Sequence, residues 1–219
     1  MRTGIFGGTF DPIHLAHLRV AEEVREACDL DRVIFLPAAL PPHKQSATET
    51  PFHHRLAMVE AAIADHPGFI ASDLESKRTG ASYSVETLEA LQQLYPDDNL
   101  YFIIGLDSFC DITSWKDYPR LFELANIVVA HRPDYGNDDP VALLPVALAD
   151  QFCYDAGSVN LSHKCGNELI FVAETRLAIS STMLRERVAR ERSIRYLVPP
   201  AVEAYIQTHH LYHEKEDNV

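Results

Sequence analysis

Four short apolar runs constrain this chain more than anything else in it: RVIFLP (Arg32 to Pro37), LYFIIG (Leu100 to Gly105), NIVVAH (Asn126 to His131) and ELIFVA (Glu168 to Ala173). A run that is apolar at nearly every position suits a strand covered on both faces, as in a parallel sheet, and not a strand with one face in water. Before and between the runs lie stretches with helical periodicity: His14 to Cys28, Phe52 to Ala64 and Ser82 to Tyr95. Strands alternating with helices predict right-handed crossovers and an α/β, doubly wound parallel sheet. Two further strands are expected at about residues 2 to 6 and Gly68 to Ser72. Ile179 to Glu191 and Pro199 to Tyr212 predict a small C-terminal helical part. The expected organisation is one domain over 1–178 with a helical segment over 179–219 packed on it. From Arg132 to about Gly166 no period is legible, and DYGNDDP reads as a turn cluster.

Composition narrows the partners. Lys and Arg total 19 against 32 Asp and Glu, a net charge of −13, so the field of the whole molecule repels polyanions. Nucleic acid and anionic membrane are not expected partners, and no apolar run reaches membrane-spanning length. The four cysteines contain no C-x-x-C pair, and the N-terminal MRTGIFGGTF runs into a strand and a glycine loop without an apolar leader core. Both features point to a reducing, cytoplasmic setting. Cys28 and Cys110 are expected as small core residues. Cys153, His163 and Cys165, and the histidines at 53, 54, 209, 210 and 213, do not make a standard tetrahedral zinc set.

The chemistry concentrates where the first strand meets the first helix, at GGTFDPIHLAH (Gly7 to His17). Glycines let the backbone approach a phosphate, and the next helix directs free N–H groups at the same point. His14 and His17 are three residues apart, so their imidazoles share a face and can donate to phosphoryl oxygens as charge develops. Taken alone, such a pair reads first as a helix cap or surface feature; the preceding Gly-Gly-Thr-Phe-Asp-Pro after a strand reverses that reading. The motif lacks the lysine of a P-loop and the G-x-G-x-x-G of a dinucleotide fingerprint, which argues against P-loop hydrolysis and hydride transfer. A second anion site is readable at ISSTMLRER (Ile179 to Arg187), where Ser180, Ser181 and Thr182 open a helix carrying Arg185; a plain N-cap is the alternative.

GGTFDPIHLAH resembles the phosphate loop of nucleotidylyltransferases with a HIGH-type motif, Ala16 standing where a glycine is usual. LPPHK (Leu40 to Lys44), SYSVETL (Ser82 to Leu88), FIIGLDSF (Phe102 to Phe109), Trp115, HRP (His131 to Pro133) and ISSTMLRER look like successive motifs of the bacterial nicotinate mononucleotide adenylyltransferases, so the resemblance covers nearly the whole chain. It implies a Rossmann-like fold. It implies a reaction in which AMP passes from ATP to nicotinate mononucleotide, giving nicotinate adenine dinucleotide and pyrophosphate, in NAD synthesis.

What the resemblance implies for residues follows. His14, His17 and Arg185 would be catalytic. Gly7, Gly8, Thr9, Phe10, Gly105, Asp107, Ile179, Ser180, Ser181 and Thr182 would join them in holding ATP, with Gly105 against the adenosine and Asp107 on a ribose hydroxyl. Asp107 could equally cap the next helical turn. Trp115 would stack on the nicotinate, Ser84 would receive its carboxylate through the backbone N–H, and Tyr83 would shape that pocket. His43 and Lys44 on the proline-rich loop, and Arg132, would meet phosphate. Mg²⁺ would be bound mainly through the ATP phosphates, with no dedicated protein metal site. Nicotinamide mononucleotide, differing by an amide for the carboxylate, is the close rival substrate; a non-catalytic nucleotide sensor is a more remote one. A homo-oligomer is compatible with the sequence.

Overall fold

The computed structural model describes residues 1–40, 50–78, 80–131, 143–154, 160–173 and 175–213. The strands are β1 (Arg2–Gly8), β2 (Arg32–Pro37), β3 (Phe69–Ala71), β4 (Asn99–Gly105), β5 (Asn126–His131), β6 (Phe152–Tyr154), β7 (Leu161–His163) and β8 (Glu168–Ala173). The helices are α1 (Leu15–Ala27), α2 (Phe52–Ile63), α3 (Ser84–Leu94), α4 (Leu106–Cys110), α5 (Tyr118–Leu124), α6 (Ser181–Ala189) and α7 (Pro200–Thr208). They build an eight-stranded sheet in the order β3-β2-β1-β4-β5-β8-β7-β6. The first six positions in that order are parallel; β7 and β6 add an antiparallel edge.

The period of two along each central strand divides the core. Ile34 and Leu36 of β2, with Phe102, Ile104, Ile127 and Val129, face the layer containing α3, α4 and α5. Val33 and Phe35, with Ile103 and Val128, face the opposite layer, where α1 and α2 are joined by Leu184 and Val188 of α6 and Val202 and Ile206 of α7. Both faces are therefore covered, which is the reason the strand runs are apolar throughout. Gly4 is fixed by this packing: a Cβ there would stand 2.8 Å from Leu30 Cδ1.

Some expectations need correction. The edge strands β6 and β7 fall in the stretch assigned no element, because three residues are too few to show a period. Cys110 is exposed at the end of α4, unlike Cys28, which is buried. The closing helix stops at Thr208, where residues 209–212 turn, His210 and Tyr212 taking left-handed backbone. Among the described residues no helix is long and apolar enough to cross a membrane.

Candidate active site

β1 and β4 are neighbours, yet β1 leads through α1 to β2 on one side and β4 leads through α4 and α5 to β5 on the other. The crossovers diverge at this point and open a crevice beyond the carboxyl ends of the two strands, where doubly wound sheets bind ligands. Two cavities occupy it, one on each side of the sheet. The larger, about 330 Å³, is lined by residues including Ala16, His17, Gly105, Asp107 and Ile179. The other, about 240 Å³, includes Gly7, Gly8, Thr9, Tyr83, Ser84 and Trp115. Phe6, Ile104 and Gly105 line both. Gly105 thus forms part of the wall between them. Its φ is ordinary, and a Cβ built on it meets no protein atom within 4 Å. Neither backbone conformation nor protein packing requires glycine there, and the space a side chain would take is open cavity.

The loop between β1 and α1 is held from several directions. Arg55 of α2, 1% exposed, donates from Nη1 to the Thr9 carbonyl at 2.8 Å and from Nε to the Thr50 carbonyl at 3.2 Å. Arg185 donates from Nη1 to the Asp11 carbonyl at 2.7 Å, and Ser181 Oγ donates to the Pro12 carbonyl at 2.9 Å. Tyr212 donates its hydroxyl to the buried Asp11 carboxylate at 2.7 Å. Phe10 carries a φ of 48°, a conformation that costs a non-glycine residue about 1–2 kcal/mol. Burial of its ring against Phe6, Phe35 and His17 offsets that cost.

His14 is the N-cap of α1 and not a residue of its first turn, and His17 sits one turn on. Their rings stack with centroids 3.7 Å apart. The His14 backbone N–H donates to His17 Nδ1 at 3.3 Å, so the proton of a neutral His17 belongs on Nε2, where it is free to donate. Burial pushes the pKa of His14 down to about 4, and burial followed by the nearness of His14 pushes His17 well below the usual range. Both rings are therefore neutral near pH 7.

The segment expected to form a second anion site opens α6 (Ser181–Ala189). Ser180 caps α6, accepting from the Met183 N–H at 3.2 Å, so the simple capping role is real. Ser181 and Arg185 nevertheless fasten α6 to the phosphate loop, and Thr182 is exposed beside them, its Oγ1 3.4 Å from Arg185 Nη2. Asp107 does not cap α4; Gly105 does, and Asp107 lies on the first turn with its side chain exposed at the larger cavity.

At the smaller cavity, Tyr83 caps α3 without a side-chain bond and Ser84 is its first residue, so the start of α3 is at the cavity wall. Leu40 and Ser82 are joined twice, Ser82 N–H to the Leu40 carbonyl at 2.9 Å and Leu40 N–H to Ser82 Oγ at 3.2 Å. Trp115 lies edge-to-face with Phe102, centroids 6.3 Å apart. His43, Lys44 and Arg132 lie outside the described residues. Sequence reasoning missed Glu75, Thr87, Ser108 and Lys116, which also line this cavity. Glu75 and Lys116 read as ordinary surface charges, and only the fold reveals what they face.

A doubly wound sheet with a glycine loop, a stacked histidine pair and paired cavities across its switch point defines a nucleotide-binding protein of the Rossmann-like class. Comparison with known proteins narrows the class. The cytidylyltransferase-like family model matches residues 5–187. A relative from Syntrophotalea carbinolica, named probable nicotinate-nucleotide adenylyltransferase, is 59% identical over 216 residues, 99% of each chain. One of the same name from Geotalea daltonii is 53% identical over 98% of this chain and 99% of its own. Among solved structures, the Plasmodium falciparum nicotinic acid mononucleotide adenylyltransferase complexed with NaAD superposes with a TM-score of 0.73 at 23% identity, covering 96% of this chain and 97% of its own, a likeness of fold. The chain belongs to the cytidylyltransferase-like family and, within it, to the nicotinate-nucleotide adenylyltransferases.

Proposed function

We propose that this enzyme transfers AMP from ATP to nicotinate mononucleotide, releasing pyrophosphate. The observation that carries this reading is the pair of cavities meeting at Gly105 with the phosphate loop beside them, since joining two nucleotides needs two nucleoside sites that share a phosphate path. The larger cavity would take adenosine, with Asp107 accepting a ribose hydroxyl and Gly105 and Ile179 against the base. The smaller would take the pyridine nucleotide, Trp115 against the ring and the α3 N–H groups at Ser84 toward the carboxylate.

A phosphate oxygen of the mononucleotide attacks the α-phosphorus of ATP in line; the new O–P bond forms as the bond to the β-phosphate bridging oxygen breaks, and the electron pair leaves with pyrophosphate. The chain supplies position and charge stabilisation and no covalent intermediate. His17 Nε2–H, its tautomer set by the His14 backbone, donates to phosphoryl oxygen where negative charge grows. Arg185, Ser181 and Thr182 sit at the loop edge to meet the outer phosphates. His43, Lys44 and Arg132 are proposed phosphate contacts on sequence grounds. Among the described residues no three His, Cys, Asp or Glu side chains converge as a cation cage. Mg²⁺ would enter with ATP, bound mainly through the ATP phosphates.

The test is pyrophosphate release with ATP and Mg²⁺ from nicotinate mononucleotide, nicotinamide mononucleotide and phosphopantetheine compared side by side. A preference for nicotinate mononucleotide of about a hundredfold, about 2.7 kcal/mol, is expected. Comparable rates with the amide would make the enzyme dual in specificity, and turnover with none would defeat the proposal.

A further inference from the structure

The mononucleotide cavity carries two charged side chains on its wall, and they are placed differently. Lys116 is at the exposed rim, with its Nζ 2.6 Å from Glu86 Oε1 and 4.5 Å from the centroid of the Tyr83 ring. Glu75 is inside, 9% exposed, on the helical turn Leu74–Lys77 that precedes α3. Both of its oxygens accept: Oε1 from Thr87 Oγ1 at 2.9 Å and Oε2 from the Ala39 N–H at 3.3 Å. Thr87 in turn accepts from Arg78 Nη1 at 3.1 Å, and its own proton faces both Glu75 and the Tyr83 carbonyl, the latter at 3.2 Å. Glu75 thus accepts at both oxygens, beside a threonine that itself meets a guanidinium.

A buried carboxylate in a cavity walled by Trp115, Phe102 and Tyr83 is a poor surface for a neutral ring and a good one for a flat cation, because the charge and the aromatic faces attract the same ligand. The rest of the wall does not repeat this preference. The α3 N–H groups attract an anion at one edge of the ligand, while Glu75 attracts positive charge on its ring. Together they fit a ring that is itself cationic and bears a negative substituent.

We infer that Glu75 is a specificity-determining residue that selects mononucleotides with a positively charged pyridinium ring over those with a neutral ring. This deepens the proposed function and rests on it. The carboxylate attracts the charged ring through space and takes no part in the bond changes at phosphorus.

The experiment compares nicotinate mononucleotide with its 1,4-dihydro counterpart, which keeps the carboxylate, ribose and phosphate and loses only the ring charge. With ATP and Mg²⁺, the unaltered enzyme is expected to favour the oxidised form in kcat/KM by about tenfold or more. Glu75→Gln is expected to bring the two substrates to within about threefold of each other, the loss falling on KM for the oxidised form, and Glu75→Asp to restore part of the preference. Equal use of both forms by the unaltered enzyme overturns the inference whatever the variants do. So does a Glu75→Gln enzyme that loses activity on both in the same proportion, the mark of a purely structural role. If the unaltered enzyme turns over neither mononucleotide, the proposed function fails and takes this inference with it.

Discussion

The imidazole of His14 lies almost flat against that of His17, the planes 19° apart, at the junction where β1 hands the chain to α1. Two cationic imidazoles would repel at that separation, and burial already disfavours charge on either. The arrangement therefore keeps both rings neutral and leaves His17 with one defined donor, Nε2–H, beside the larger cavity.

Removing that donor tests its part in the reaction. His17→Ala is expected to lower kcat by about 10²–10³, the usual penalty for deleting one donor to developing charge. ATP binding, followed by calorimetric titration, should weaken far less. A parallel loss of both would show that His17 only holds ground-state ATP.

The same pair predicts how stability responds to acid. His14 has its pKa lowered to about 4 in the folded chain, below its ordinary value of 6.5, because it is buried. Between those values the unfolded chain binds the proton and the folded chain does not, so stability falls as pH drops from about 6.5 toward 4 and is restored above 6.5. The full effect is about 3 kcal/mol from His14 alone. Urea midpoints at pH 7 and pH 5 should show the decline, and it should be smaller in His14→Asn. An identical decline in both proteins would assign the acid sensitivity to other groups.

How far the sequence revealed this depends on what each residue had to signal. The bounds of β2 and β5 were legible because burial on two faces leaves few polar positions to blur them, and those of β8, which is only partly buried, from its apolar run itself. The histidine pair was legible from its spacing together with the glycine loop before it, while Trp115 and Ser84 were readable only through family resemblance, since a lone tryptophan or a helix-start serine has many uses. Glu75 was not legible. In ESKR it looks like one more solvated charge, and its burial depends on Thr87, twelve residues on, and on Ala39, thirty-six residues back. Cys110 misled for the opposite reason: the residue type favours the core, but it falls on the outer face of a five-residue helix.

Two glycines separate ligand space from packing space. Gly105→Ala places a methyl where no protein atom lies within 4 Å, so stability should change by less than about 1 kcal/mol, while affinity for ATP or the mononucleotide drops. Gly4→Ala places one against Leu30 and Val33 in the core and should destabilise by about 1–3 kcal/mol, with the activity of the folded fraction retained. Thermal melts paired with steady-state kinetics distinguish the two, and a destabilised but fully active Gly105→Ala enzyme would remove the argument that this glycine makes room for a ligand.

The last contact made by the described C-terminal turn reaches back to the phosphate loop. Burial and the neighbouring Asp11 push the Tyr212 phenol far above its ordinary pKa, so it stays a donor, and its partner carboxylate is 4% exposed. Tyr212→Phe leaves that carboxylate short of a hydrogen bond without opening a cavity, at a cost of about 1–3 kcal/mol. The effect should not stop at stability, because Asp11 is also where Arg185 grips the loop, through the Asp11 carbonyl. Asp11 is not part of the lining of the cavity at Trp115, which takes only Gly7, Gly8 and Thr9 from this loop, so KM for ATP should rise by about tenfold and KM for the mononucleotide by clearly less. Initial-rate measurements varying each substrate in turn read this directly. Equal rises in both constants would mean that Tyr212 supports the fold as a whole and has no particular hold on the phosphate loop.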